Sequence, residues 1–180
     1  MNIHKTTLPG LLLISLDVFE DNRGNFREVY QAEKFEELGF PKFTPVQQNV
    51  SYNLHGTTRG IHCEPWEKLI HVAYGEVIAA IVDVREHEKT FGTFETFTLN
   101  STNALYVPRG LGNSFQVLSE FAVYSYLVNE HWKEGVIYPQ IFFRDKELNI
   151  PWPIPETEQV ASAKDLANPG FEEYKASLRR

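Results

Sequence analysis

Along this chain, apolar and polar positions fall into short strand-like runs far more often than they recur at helical spacing. β-branched and aromatic residues gather at 11–19, 25–30, 43–51, 69–73, 77–84, 93–99, 104–107, 114–118 and 123–128, with Gly, Pro and Asn between the runs. Many short strands at this spacing predict a sandwich or barrel. In the run Val123-Tyr124-Ser125-Tyr126-Leu127-Val128 the period is two, so Tyr124 and Tyr126 share one face. Helical spacing is convincing only at 32–38, where Phe35 and Leu38 lie on one side, and at 171–178; both helices read as peripheral. Pro151, Pro153, Pro155 and Pro169 predict an extended, irregular segment after the last strands, one that wraps the barrel or caps its mouth. No linker, repeat or low-complexity stretch divides the chain, and residues 1–180 read as one domain.

Charge narrows the partners. A formal net charge of -7 offers no general attraction to polyanions, so neither nucleic acid nor an anionic membrane is expected to bind. Any phosphate has to be held by a few local cations. The apolar stretch 11–16 meets Asp17 too early to span a bilayer or serve as a signal core, which predicts a soluble, cytoplasmic protein. Cys63 is the single cysteine; it excludes an internal disulfide and suits a reducing compartment.

Chemistry concentrates in Arg59-Gly60-Ile61-His62-Cys63-Glu64-Pro65-Trp66-Glu67-Lys68, which carries a guanidinium, an imidazole, carboxylates and an amine within ten residues. In a metal-binding cupin barrel a His-x-His pair and a Glu stand here, with one more His after a later Pro-x-Gly turn. This chain reads His62-Cys63-Glu64 at the first place, and after Pro108-Arg109-Gly110 it has Asn113. Transition-metal sites usually gather three or four good ligands, so no metal is expected.

Five fragments in order, 21–28 (Asp-Asn-Arg-Gly-Asn-Phe-Arg-Glu), 46–51, 59–62, 107–110 and 125–127, resemble the successive signatures of the dTDP-4-dehydrorhamnose 3,5-epimerase family, across about Leu8 to Asp165. Each is weak alone; their order and spacing are specific. The resemblance implies an all-β cupin jelly-roll barrel with short peripheral helices, a homodimer, no cofactor, and a nucleoside diphosphate 4-keto-6-deoxyhexose as substrate. It also implies roles: His62 as base, Asp165 as its orienting counter-charge, Lys68 near the keto oxygen, and Tyr126 as proton donor from the opposite face. Arg23, Phe26, Glu28, Gln47, Asn49, Arg59, Asn113, Trp132 and Lys164 are the implied substrate contacts, with Arg23 and Arg59 suited to a diphosphate.

The residues themselves are compatible with that chemistry. A proton beside a ketone can be removed when a positioned base accepts it and a cation stabilises the enolate oxygen, and imidazole exchanges protons near neutral pH. Plainer readings stand beside each assignment. Strand periodicity does not choose between Tyr124 and Tyr126, Lys68 and Asp165 are ordinary surface types, and Phe26 is an ordinary core residue. Asn113 replaces a His and cannot exchange a proton, and Trp132 replaces a Tyr, keeping a stacking face without the hydroxyl. The first expectation is inversion at C3 and C5 of dTDP-4-dehydro-6-deoxy-D-glucose. The alternatives are single-centre inversion, another nucleotide, a non-catalytic sugar-nucleotide-binding cupin, and a metal-dependent cupin oxygenase.

Overall fold

A computed structural model describes residues 1–179. The strands in chain order are β1 (Asn2–Lys5), β2 (Leu12–Ser15), β3 (Phe19–Asp21), β4 (Gly24–Phe26), β5 (Gln47–Leu54), β6 (Thr58–His62), β7 (Lys68–Tyr74), β8 (Val77–Asp83), β9 (Phe94–Leu99), β10 (Asn103–Val107), β11 (Leu111–Val117) and β12 (Phe121–Val128). Helices are short: α1 (Ala32–Glu37), α2 (Ala163–Leu166) and α3 (Phe171–Leu178). Six strands form one antiparallel sheet in the order β1-β2-β10-β7-β12-β5, four form a second in the order β6-β11-β8-β9, and β3-β4 stands apart as a hairpin. This is the expected all-β cupin-like jelly roll.

Alternation explains why so many strand positions are buried on both faces. Ile70, Val72, Leu105 and Tyr124 of the larger sheet meet Val77, Ala79, Ile81, Leu99, Phe115 and Val117 of the smaller one in a shared core. The intervening residues of the same strands point outwards and are covered in turn. Leu69, Ala104 and Tyr106 pack under Phe35 of α1 with Phe40 and Phe43, while Ala80 and Val82 pack under Ile141, Phe143, Phe171 and Tyr174 of the C-terminal segment. The two helices are therefore peripheral in position, yet each supplies the lid of a core layer. The proline-rich segment wraps the smaller sheet, and Ile61 and Ile141 exchange two backbone hydrogen bonds of 2.8 and 3.0 Å along the β6 edge.

Several boundaries differ from the sequence reading. The run 11–19 is interrupted after Ser15, the run 25–30 is strand only to Phe26, and the run 43–51 becomes strand only at Gln47 because Phe43 is anchored in the core under α1. Strands β1 and β6 and helix α2 were not anticipated. No described helix is long and apolar enough to cross a membrane.

Candidate active site

Strand β6 sets the site through an irregularity. Across from it on β11, Asn113 pairs with His62 but Phe115 pairs with Arg59, so three steps on β6 answer two on β11. Regular alternation would turn residues 59 and 62 to opposite faces; the bulge brings both Arg59 and His62 into one cavity of about 140 Å³. Gly60 makes the approach possible. Its φ is +122°, and a Cβ there would lie 2.5 Å from the Ser114 Cβ.

The same cavity is lined by Asn49 and Ser51 of β5, Lys68 at the start of β7, Asn113 and Phe115 of β11, and Tyr124 and Tyr126 of β12. His62 Nε2 is 3.0 Å from Asp165 Oδ1. Asp165 is 5% exposed and sits in the first turn of α2, where Ser162 caps the helix. The Ser162 hydroxyl accepts from the Asp165 backbone N–H at 3.0 Å and donates to Asp165 Oδ2 at 2.8 Å. Burial alone would push the Asp165 carboxyl up, but hydrogen bonds from His62 and Ser162 outweigh it and hold the group below the usual carboxylate range. The imidazole is thus fixed by an anion, with Nδ1 as its other proton-exchanging atom.

Structure separates the two tyrosines that periodicity could not. Tyr124 stacks on Phe115 at 4.0 Å, is almost fully buried, and spends its hydroxyl on Asn113 Oδ1 at 3.3 Å. Burial drives its phenol far above the usual range. Tyr126 is partly open, has the Lys68 ammonium 5.6 Å from its ring centroid, and is raised by burial and then by the Glu64 charge. Lys68 itself is bonded to Glu64 Oε2 at 2.5 Å. Glu64 was not among the predicted site residues, although its four-residue spacing from Lys68 is visible in the sequence. Asn53 is a second omission: its side-chain oxygen accepts from Arg59 Nε at 2.9 Å and aims the guanidinium.

Gln47 and Trp132 lie next to the cavity wall. Gln47 Nε2 donates to Asn49 Oδ1 at 2.9 Å, and the Trp132 backbone N–H donates to Gln47 Oε1 at 3.1 Å. Four expected contacts are not gathered here within the chain. Arg23, its side chain 85% exposed, pairs with Asp21 at 2.6 Å on the β3-β4 hairpin. Phe26 is 65% exposed in the same hairpin, so it is not the core residue of the plainer reading. Glu28 is paired with Lys34. Arg23 and Arg59 therefore line separate concavities, and Lys164 faces a groove with Tyr138, Gln140 and Tyr174. Among the described residues no group of three or more His, Cys, Asp or Glu side chains is placed to hold a metal ion. Of the three candidate ligands, His62 is engaged by Asp165 and Glu64 by Lys68, while burial pushes the Cys63 thiol up to about 12, away from the thiolate that binds metal.

An imidazole backed by a buried carboxylate, a cation and a phenol around one polar cavity form an outfit for moving protons on carbon. The comparisons agree with it. A family model described as dTDP-4-dehydrorhamnose 3,5-epimerase matches residues 5–173. A "Protein RmlC homolog" of Streptococcus pyogenes serotype M6 is 42% identical over 164 residues, covering 87% of this chain and 80% of the relative. The dTDP-4-dehydrorhamnose 3,5-epimerase of Salmonella typhimurium is 35% identical over 178 residues, covering 94% of each. The solved structure of RmlC from Streptococcus suis in complex with dTDP-D-xylose is similar at a TM-score of 0.91 and 39% identity, over 96% of this chain and 92% of that one. With the family model spanning nearly the whole chain and this geometry beneath it, the chain belongs to the dTDP-4-dehydrorhamnose 3,5-epimerase family.

Proposed function

We propose that this protein converts dTDP-4-dehydro-6-deoxy-D-glucose to dTDP-4-dehydro-L-rhamnose by inverting C3 and C5, acting as one domain with one site. The observation that carries the reading is the His62–Asp165 pair of 3.0 Å opening on a cavity that also holds Lys68 and Tyr126. Both centres flank the C4 ketone, so one set of groups can serve each in turn. His62 removes the carbon-bound proton, and the Asp165 carboxylate stabilises the imidazolium that results. Lys68 offers its ammonium to the enolate oxygen that develops at C4. Tyr126 returns a proton to the opposite face, since return to the first face regenerates the substrate. One proton leaves and one arrives, with no net change of oxidation state, so neither a hydride carrier nor a metal is required.

Arg59, Asn49, Gln47, Asn113 and Trp132 are assigned to substrate binding. Arg23, Phe26 and Glu28 complete the site of a second copy, which makes the working unit a homodimer; the exposure of the hairpin supports this. The protein acts in the cytoplasm, and its partners include neither nucleic acid nor membrane, consistent with a net charge of -7. Incubation with the 4-keto sugar nucleotide in deuterated water tests the reading. Deuterium at both C3 and C5 of an L-configured product is expected; exchange at one carbon identifies a single-centre epimerase, and no exchange at either overturns the assignment.

A further inference from the structure

The loop between β6 and β7 carries Glu64, a carboxylate paired with Lys68 to which the proton-transfer scheme gives no part. Glu64 and Lys68 are joined at 2.5 Å, with side chains only 16% and 5% exposed. Lys68 lines the cavity and Glu64 does not, so the carboxylate stands behind the ammonium. Among the described residues Glu64 is the one carboxylate within salt-bridge distance of Lys68. Strand pairing fixes the lysine's backbone, with residue 68 between Val107 of β10 and Val128 of β12, but four rotatable bonds remain in the side chain.

We propose that Glu64 is a positioning residue for the epimerisation, holding the Lys68 ammonium charged and aimed at the keto oxygen in front of the Tyr126 ring. This rests on the epimerase reading given above. A buried ammonium without a counter-charge sheds its proton more readily, and a flexible one samples other rotamers; the carboxylate opposes both. Burial, reinforced by the same anion, holds the Tyr126 phenol above its usual range and so keeps it in the protonated form a donor needs. Burial would push Glu64 up, but the Lys68 and His62 charges and the hydrogen bond from Lys68 together outweigh it and keep the carboxyl below its usual range, so the anion that faces Lys68 stays charged at neutral pH.

Three variants separate this role from simple packing. Glu64→Gln keeps the shape and one acceptor while removing the charge; it should lower kcat by about tenfold to a hundredfold with KM little changed, the scale of one charge-assisted hydrogen bond. It should also bring in an earlier alkaline fall in rate, which Glu64→Asp largely reverses. Lys68→Met should be impaired on its own, and adding Glu64→Gln to it should cost little more, because the carboxylate acts through the lysine. Fully additive losses, or a Glu64→Gln variant with the wild-type pH profile, overturn the proposal. A readout free of activity keeps it distinct from the epimerase reading: NMR of the Lys68 Cε protons should show the ammonium titrating at lower pH in Glu64→Gln than in wild type. An unchanged titration refutes the pairing role even if the wild type epimerises, whereas absent carbon exchange in the wild type refutes the epimerase reading alone.

Discussion

The His62 cavity and the β3-β4 hairpin both carry residues that match substrate-contacting motif positions, and they are built in opposite ways. In the cavity, each side chain is aimed by something buried: Asp165 and its Ser162 cap for His62, Glu64 for Lys68, Asn53 for Arg59. In the hairpin, Arg23 and Phe26 are mostly exposed, Phe19 is 60% exposed, and the polar contacts are local. Two exposed phenylalanines on a three-residue ribbon gain little from their own chain, and apolar surface held out in this manner is surface left for another molecule. The difference teaches that the groups proposed to react are gathered within one chain, whereas the hairpin residues proposed to hold the nucleotide are not, so that part of the proposal requires a second surface.

That contrast is most sharply tested at the base. His62→Ala should abolish both carbon–deuterium exchange and product, by at least about a hundredfold, since no enolate forms without it. Tyr126→Phe should keep washout of substrate hydrogen while product formation falls steeply. An unchanged product rate in Tyr126→Phe would make that residue packing and move attention to Tyr124, His131 or water. Asp165→Asn comes next in size. Asp165 titrates below its ordinary 3.8, so its stabilising effect is complete above that value and is lost as pH falls through the lowered one. Melting temperature followed on the acid side of 3.8 should therefore fall less steeply in Asp165→Asn than in wild type; parallel curves would break the link.

At the hairpin the expected effect is smaller and of another kind. Arg23→Ala should raise KM roughly tenfold, the scale of one charge-assisted contact, and leave kcat nearly unchanged. Mixing inactive His62→Ala subunits with Arg23→Ala subunits should restore turnover at the wild-type KM to a fraction of the sites, and no recovery would show that the hairpin serves its own chain. The smallest expected effect is none: exhaustive chelation should leave activity intact. Loss restored by one divalent ion would replace the proton-transfer picture with a metal centre.

Much of the framework was legible because strands covered on both faces read as apolar runs, as at 77–84 and 104–107. The N-terminal β1 was not, since Asn2, His4 and Lys5 are exposed on an edge strand and carry no apolar pattern. Nor was β6, whose Thr-Arg-Gly-Ile-His contains a glycine that ordinarily marks a turn and here forms the bulge that turns Arg59 and His62 the same way. Helix α2 has four residues, too few for any periodicity, although Ser162 three places before Asp165 is a capping signal that could have found it. Site residues on the two main sheets were recognised by motif and do meet. Lys164 is next to Asp165 on α2, but adjacent helical positions point apart, and it faces the outer groove.

The hydrogen bond between His62 and Asp165 joins positions 103 apart in the chain. During synthesis, His62 leaves the ribosome long before its carboxylate exists. Sheets can begin to pair while the imidazole is still unanchored, and the layer that follows them in the chain, the segment carrying α2 and α3, is the one that completes the His62 pair. Competence is thereby tied to synthesis through residue 165: a product stalled or clipped before that point would hold most of the barrel and lack the carboxylate that holds its histidine.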